Sequence, residues 1–324
     1  MNIISLFSGA GGLDLGFKKA GFTISWANEH DKNIWATHEL NFPNTFLCKD
    51  SIGDIDAKTI PDCIGIIGGP PCQAFSEAGA KKGTKDPRGQ LFWDYVRVLK
   101  EKQPKFFVAE NVSGLLAQRH KTDLDAFVQA FSDAGYNVDY QLYLANEYNV
   151  PQDRLRVVFI GYHKSLNKKF SGLKKSKKKS VLQDVISGMP DPIPTKNGKV
   201  STNLPMKNHE YMTGGFSTMF MSRNRIRGWD QPSFTILATA RQVPLHPQAP
   251  KMTKVNKDEF VFHQPSIDLY RRLSVRECAR IQTFPDDFEF VYNRIEDGYK
   301  MVGNAVPVNF ANAIAKQIKK DLGL

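Results

Sequence analysis

Residues 64–76, Ile-Gly-Ile-Ile-Gly-Gly-Pro-Pro-Cys-Gln-Ala-Phe-Ser, leave the chain few ways to fold. Residues 64–67 form a short, β-branched apolar run bounded by glycine and proline, the pattern of a strand buried on both faces of a parallel sheet. Gly68-Gly69-Pro70-Pro71 must end that strand. The glycines permit unusual φ angles and close backbone approach, and the prolines stiffen the turn, so Cys72 is held in a defined place. In an open α/β sheet, ligands bind beyond the carboxyl ends of the strands, which puts the Cys72 thiol at the mouth of a cleft. A buried cysteine acting as a small hydrophobe is the alternative. The rigid turn before Cys72 and the polar Gln73 and Ser76 after it argue against burial.

The other ends of apolar runs sharpen the picture. Residues 3–7 read as a strand, followed by Ser8-Gly9-Ala10-Gly11-Gly12 and an amphipathic stretch that Gly21 ends. Strand, glycine loop and helix in that order let a nucleotide-like ligand lie against backbone. Strand candidates at 23–28 and 45–49 lead into Glu29 and Asp50-Ser51. An acidic residue after the second strand suits ribose hydroxyls, and one after the third can accept from an adenine amino group. The dinucleotide pattern wants a third glycine, and Leu13-Asp14 follows Gly12 instead. An adenosyl ligand without phosphates, S-adenosylmethionine before NAD, is therefore expected.

The 324 residues can bury a large core, as one big domain or two unequal ones. No apolar run approaches a membrane span and the N-terminus lacks a secretion-signal pattern, so a cytoplasmic protein is expected. Four scattered cysteines with no metal spacing point to neither disulfides nor bound metal. A net charge of +11 favours a polyanionic partner.

Residues 78–89 read as a loop that could close over a substrate. Phe92, Tyr95, Val96 and Leu99 mark a helix, and residues 106–109 a buried strand running into Glu110, so Cys72 and Glu110 are expected on one sheet edge. A carboxylate there is costly unless it serves a helix cap or a ligand. Leu124, Phe127, Val128 and Phe131 mark another helix. Arg154 and Arg156, one residue apart before a strand at 157–161, would point the same way if extended, converging on a carbonyl or anion or lying on a solvated edge. The Lys/Ser-rich stretch 163–180 reads as a solvated linker, which divides the chain. The expected plan is an α/β Rossmann-like catalytic and cofactor-binding domain, residues 1–180, completed by 300–324. Residues 181–299 form a smaller, mostly irregular or β target-recognition domain. Within it Arg223, Arg225 and Arg227 alternate, and Arg241 follows later; such arginines read guanine edges or bind phosphate, or else form a solvated strand face. Ser274-Val275-Arg276-Glu277 is a capping box, and residues 303–308 open a C-terminal helix with Phe310, Ile314 and Ile318 on one face.

A cytosine base would use these groups well. Its carbon 5 is a poor nucleophile until a thiolate, Cys72, adds at carbon 6. Glu110 would stabilise charge at N3, and Arg154 or Arg156 would hold O2. No residue is assigned to the later loss of the carbon-5 proton. Because a duplex hides carbon 6, the base would be flipped out.

Together, Phe7-Ser8-Gly9-Ala10-Gly11-Gly12, Gly69-Pro70-Pro71-Cys72-Gln73-Ala74-Phe75-Ser76, Glu110-Asn111-Val112, Gln152-Asp153-Arg154-Leu155-Arg156, Arg276-Glu277-Cys278-Ala279-Arg280 and Gly303-Asn304-Ala305-Val306-Pro307 resemble the ordered motifs of the DNA (cytosine-5)-methyltransferases. The resemblance spans nearly the whole chain and is similar to bacterial type II modification enzymes, most of all the HaeIII-type enzymes that methylate the inner cytosine of GGCC. It implies Cys72 as nucleophile, Glu110 at N3 and Arg156, more than Arg154, at O2. It also implies an S-adenosylmethionine site in which Phe7 packs on the adenine, Glu29 binds the ribose, and Asp50 takes the adenine amino group. Gly9, Gly11, Gly12, Leu13, Ser51, Pro71, Leu91 and Asn304 complete that site. Arg223, Arg225 and Arg241 fall at guanine-reading positions, with Met219 entering the gap in the duplex and Ser76 and Arg227 as further DNA contacts. The implied partners are double-stranded DNA, bound by a monomer, and functionally a cognate restriction endonuclease. A transfer-RNA cytosine methyltransferase, a catalytically dead DNA-binding relative and a dinucleotide oxidoreductase are the alternatives. The last two fit poorly with the presence of both Cys72 and Glu110 and with the missing third glycine.

Overall fold

The computed structural model describes residues 1–71, 87–195, 198–199 and 204–324; Cys72, Gln73, Ser76 and residues 78–86 of the expected loop lie outside them. The chain forms two compact units. The first comprises Met1–Leu144, Leu155–Lys175 and Phe310–Leu324, and the second Ala145–Arg154 and Ser176–Asn309.

The first unit is built on a seven-stranded sheet of β1 (Asn2–Leu6), β2 (Thr23–Asn28), β3 (Phe46–Cys48), β4 (Gly65–Gly68), β5 (Phe106–Val112), β6 (Tyr136–Leu144) and β8 (Leu155–His163), in the order β3-β2-β1-β4-β5-β8-β6. The first five strands run parallel, whereas β8 is antiparallel to both β5 and β6. The order reverses between β1 and β4, so this α/β sheet has its switch point there. All four residues of β4 are buried, as its apolar run requires. Gly68 has a local reason to be glycine: a Cβ there would stand 2.3 Å from the Leu6 carbonyl oxygen of the neighbouring strand.

Helices cover both faces. Against one face pack α3 (Pro87–Lys102) and α4 (Lys121–Asp133), whose Phe92, Tyr95, Leu99, Phe127 and Phe131 join Leu6, Ile66 and Phe107 of the strands in one core cluster. On the other, Phe17 of α1 (Gly12–Lys19) lies 6.3 Å, ring centre to ring centre, from Phe106. The last helix, Val308–Leu322, is tied to α1 and its end: Asn312 donates to the Gly16 carbonyl at 3.0 Å and Lys319 to the Ala20 carbonyl at 3.0 Å. Covering of the sheet by a terminal helix agrees with its apolar stripe, although that helix begins at Val308, and Gly303-Asn304 instead ends a separate helix, Ile295–Asn304.

The second unit is largely irregular, with short strands and a small core of Phe220, Ile226, Leu245, Ala249 and Met252. It takes in residues 145–154, 176–180 and 300–309, which the expected boundaries assign to the first domain. The reason lies in side chains: Gln152 of the short strand β7 (Gln152–Asp153) bonds Gln282 at 2.8 Å, and Arg154 bonds the carbonyls of Gly303 and Ala305. The capping box is present as expected, with Ser274 Oγ accepting from Glu277 N at 3.0 Å and Glu277 Oε2 from Ser274 N at 2.7 Å.

Candidate active site

Parallel strands place the residues after β1, β2, β3 and β4 on one edge of the first unit, together with the end of β5. After β1, Phe7 has φ 54°, a left-handed conformation that a bulky side chain adopts only where its surroundings impose it. Gly9 (φ 56°) and Gly11 (φ 87°) continue the bend into α1, whose first residues are Gly12 and the buried Leu13. The two loop glycines differ in purpose. A Cβ on Gly11 would strike the Phe42 ring at 2.2 Å, so that glycine serves packing, whereas one on Gly9 would meet nothing within 4 Å. Gly9 thus borders open space of the kind a ligand can fill against backbone.

Glu29, after β2, holds the loop in place. Its Oε2 accepts from Gly9 N at 2.9 Å and its Oε1 from Asp31 N at 2.8 Å, leaving further lone pairs on each oxygen for hydroxyl donors. Burial raises its pKa, a shift opposed by those two backbone N–H groups. Asn28 fixes the next segment, donating to the carbonyls of Cys48 at 3.2 Å and Asp50 at 2.9 Å. The Asp50 side chain is left exposed, and with Ser51 it borders a cavity of about 640 Å³. Leu91, on α3, is half-buried against the core, and Pro71 is half-buried at the end of the turn after β4. An open glycine face, a buried carboxylate with spare acceptors and an exposed carboxylate one strand further fit an adenosyl group.

Glu110 lies on β5 beside the same turn; a Cβ on Gly69 would come within 3.5 Å of its Oε2. In the antiparallel β5–β8 register Val112 faces Arg156 and Glu110 faces Val158, so Arg156 is diagonal to Glu110 on one face. Their ion pair closes at 2.7 Å between Arg156 Nε and Glu110 Oε1, with side chains 14% and 12% exposed. Asn111, a residue given no role on sequence grounds, donates to the Pro70 carbonyl at 2.9 Å and so ties β5 to the turn that leads into Cys72. A buried amide next to a strand-end carboxylate was the only signal for it.

Arg154 behaves differently from Arg156. It is 1% exposed in the second unit, and its guanidinium donates to the carbonyls of Ile236 (3.0 Å), Gly303 (3.0 Å) and Ala305 (3.1 Å). The expected common direction of the two arginines does not hold, because the chain passes from β7 to β8 between them. Asn304, also of the second unit, is exposed at a helix end. The arginine row separates too. Arg223 and Arg241 are exposed, as is Met219 at 66%, with Gln242 Nε2 3.5 Å from the Met219 sulfur. Arg225 is buried, donating to the carbonyls of Phe220 (2.7 Å) and Met219 (2.8 Å), and Arg227 pairs with Asp153 at 2.9 Å above the Phe234 ring. A shared face for all three is therefore absent: burial turns Arg225 toward the backbone of its own loop.

The sheet, the glycine loop and the paired Glu110 and Arg156 define a methyltransferase of α/β type. The profile of the C-5 cytosine-specific DNA methylases matches residues 1–320, and the chain belongs to that family. It is 53% identical over 324 residues to the type II methyltransferase M.MthTI of Methanothermobacter thermautotrophicus, covering 99% of this chain and 98% of that protein. It is 52% identical over 328 residues to M.NgoPII of Neisseria gonorrhoeae, covering 99% and 96%. Among solved structures, an E. coli prophage-encoded protein described as a DNA modification methyltransferase superposes with a TM-score of 0.76 at 25% identity over the full length of both chains. The S. pombe Dnmt2 methyltransferase has the same fold, with a TM-score of 0.70 at 18% identity over both full lengths. The enzyme is thus a DNA (cytosine-5-)-methyltransferase of restriction-modification type, and its family and fold imply dependence on S-adenosylmethionine. No helix among the described residues is long and apolar enough to cross a membrane.

Proposed function

We propose that the enzyme methylates carbon 5 of a flipped cytosine within a short GC-rich duplex sequence, GGCC, and so protects DNA from a cognate restriction endonuclease. It acts as a monomer on double-stranded DNA in the cytoplasm. The observation that carries the reading is the Glu110–Arg156 ion pair beside the Gly69-Pro70-Pro71 turn, one residue before Cys72.

S-adenosylmethionine, when bound, supplies an electrophilic methyl group on a sulfonium. Phe7, Gly9, Glu29 and Asp50 would hold it, with Gly12, Leu13, Ser51, Pro71 and Leu91 completing the site. The Cys72 thiolate adds to carbon 6, so that the ring electrons move toward carbon 5 and N3. Glu110 receives the growing charge at N3 through a shared proton, and Arg156 both orients that carboxyl and polarises O2. Loss of the carbon-5 proton then lets the ring expel the Cys72 thiolate and regain aromaticity. Ser76, Met219, Arg223, Arg227 and Arg241 contact the DNA, and Arg225 holds the Met219 backbone. A transfer-RNA substrate is not favoured, since the family is one of DNA methylases and the relatives are type II enzymes.

Duplex DNA bearing 5-fluorocytosine tests the mechanism. With S-adenosylmethionine present, a covalent adduct at Cys72 is expected, and Cys72→Ser forms none while still binding DNA. An unmodified Cys72 in folded enzyme would overturn the reading. Bisulfite sequencing of DNA from cells expressing the enzyme reads the target, with GGCC expected.

A further inference from the structure

We infer that Arg97, on α3, is the positioning residue that sets the adenine end of the cofactor site. This rests on the proposed reading that Asp50 takes the adenine amino group. The segment that follows β3 carries Asp50 and turns back on itself within a few residues, with Asp54 N bonded to the Ser51 carbonyl at 2.9 Å and Ile55 N to the Ile52 carbonyl at 3.4 Å. Asn28 grips its entrance through the carbonyls of Cys48 and Asp50. Arg97 grips its exit. Nη2 donates to the Ile52 carbonyl at 2.6 Å and Nη1 to the Ile55 carbonyl at 2.9 Å, so one planar guanidinium spans both ends of the turn.

The guanidinium is itself aimed. Asp94, one helical turn earlier and 4% exposed, accepts from Arg97 Nε at 3.2 Å, and its other oxygen lies under the turn, 3.5 Å from where a Cβ on Gly53 would stand. Backbone geometry from Ser51 to Ile55 thus depends on a charged side chain of another element. Asp50, exposed and immediately before this turn, inherits its position from the two clamps. A ligand group that reads Asp50 should feel Arg97 without touching it.

The test is a cycle of two changes, one in the protein and one in the ligand. S-adenosylhomocysteine and S-inosylhomocysteine differ at the purine amino group that Asp50 would read. Dissociation constants of both are measured for the wild type and Arg97→Ala, alongside thermal unfolding. The wild type is expected to prefer the adenosyl compound by about tenfold or more, the scale of one good polar contact. In Arg97→Ala that preference falls toward one, and Arg97→Lys, which can reach only one of the two carbonyls at a time, keeps an intermediate ratio. A merely structural arginine would lower the melting temperature and leave the ratio alone. A folded Arg97→Ala with the wild-type ratio overturns the inference. A wild type without any preference overturns the Asp50 reading and the inference with it. If Arg97→Ala does not fold, Arg97→Gln carries the same comparison with the same two outcomes.

Discussion

Asn111 Nδ2 reaches across two neighbouring parallel strands to the carbonyl oxygen of Pro70, 2.9 Å away. The bond joins the strand that carries Glu110 to the Gly69-Pro70-Pro71 turn, so that carboxylate and that turn share one anchor. Asn111→Ala should cost about 1–2 kcal/mol in stability, the worth of a buried hydrogen bond whose partner is left unsatisfied. Methyl transfer should fall by more than about tenfold, as a misplaced reacting group implies. Parallel thermal melts and single-turnover rates check this, and a wild-type rate in the folded variant would discount the anchor.

Glu110→Gln keeps the shape of the side chain and removes its charge. The loss of a group that stabilises developing charge is expected to lower the rate by about 10²–10³ with DNA affinity little changed. Arg156→Ala should act in the same direction, and the double variant should be no worse than the poorer single one, because the two side chains work as a pair. Additive losses in single-turnover kinetics would argue for independent roles.

Arg154 predicts a different outcome from its neighbour. Arg154→Met takes the guanidinium donor from the buried carbonyls of Ile236 and Gly303, while that of Ala305 keeps Gln282 Nε2 at 3.1 Å. Several kcal/mol of stability should be lost, at about 1–3 kcal/mol for each unsatisfied group. The measurement is chemical denaturation. A variant as stable as the wild type but inactive would give Arg154 a role in the chemistry instead.

The second unit should weaken in mild acid. Burial pushes the His246 pKa down from 6.5 to about 4, with Glu277 opposing the shift and Arg271 adding to it. Between those values the unfolded chain binds the proton and the folded one does not, so stability falls as the pH drops from 6.5 toward 4 and levels off below. The loss is on the order of 3 kcal/mol. Burial alone would raise the Glu277 pKa, but the twin bonds from Arg271, both 2.8 Å, bring it below the usual value. His246→Gln should flatten the pH dependence of the melting temperature over this interval; an unchanged slope would place the titration elsewhere.

Much of the first unit was readable because parallel strands bury both faces and so appear as plain apolar runs, as at 65–68 and 106–109. Strand β6 was not. Its Tyr-Asn-Val-Asp-Tyr-Gln-Leu-Tyr-Leu carries polar residues on an exposed edge and has no apolar run to find. Helix Lys32–Asn41 was missed for a similar reason, since only Ile34, Thr37 and His38 are buried. The acid after each strand could be found by chain position alone. The partners of Arg154 could not, because backbone carbonyls 82 and 149 residues away leave no trace in local spacing.

The bonds from Asn312 to Gly16 and from Lys319 to Ala20 bridge separations of 296 and 299 residues. A ribosome adding about 5–20 residues per second needs roughly 15–60 s to cover that distance. During this time the first helix waits for a packing partner that has not been made. Loops of such length form late and slowly. The packing around α1 should therefore be completed late in folding, only after the helix Val308–Leu322 has been made.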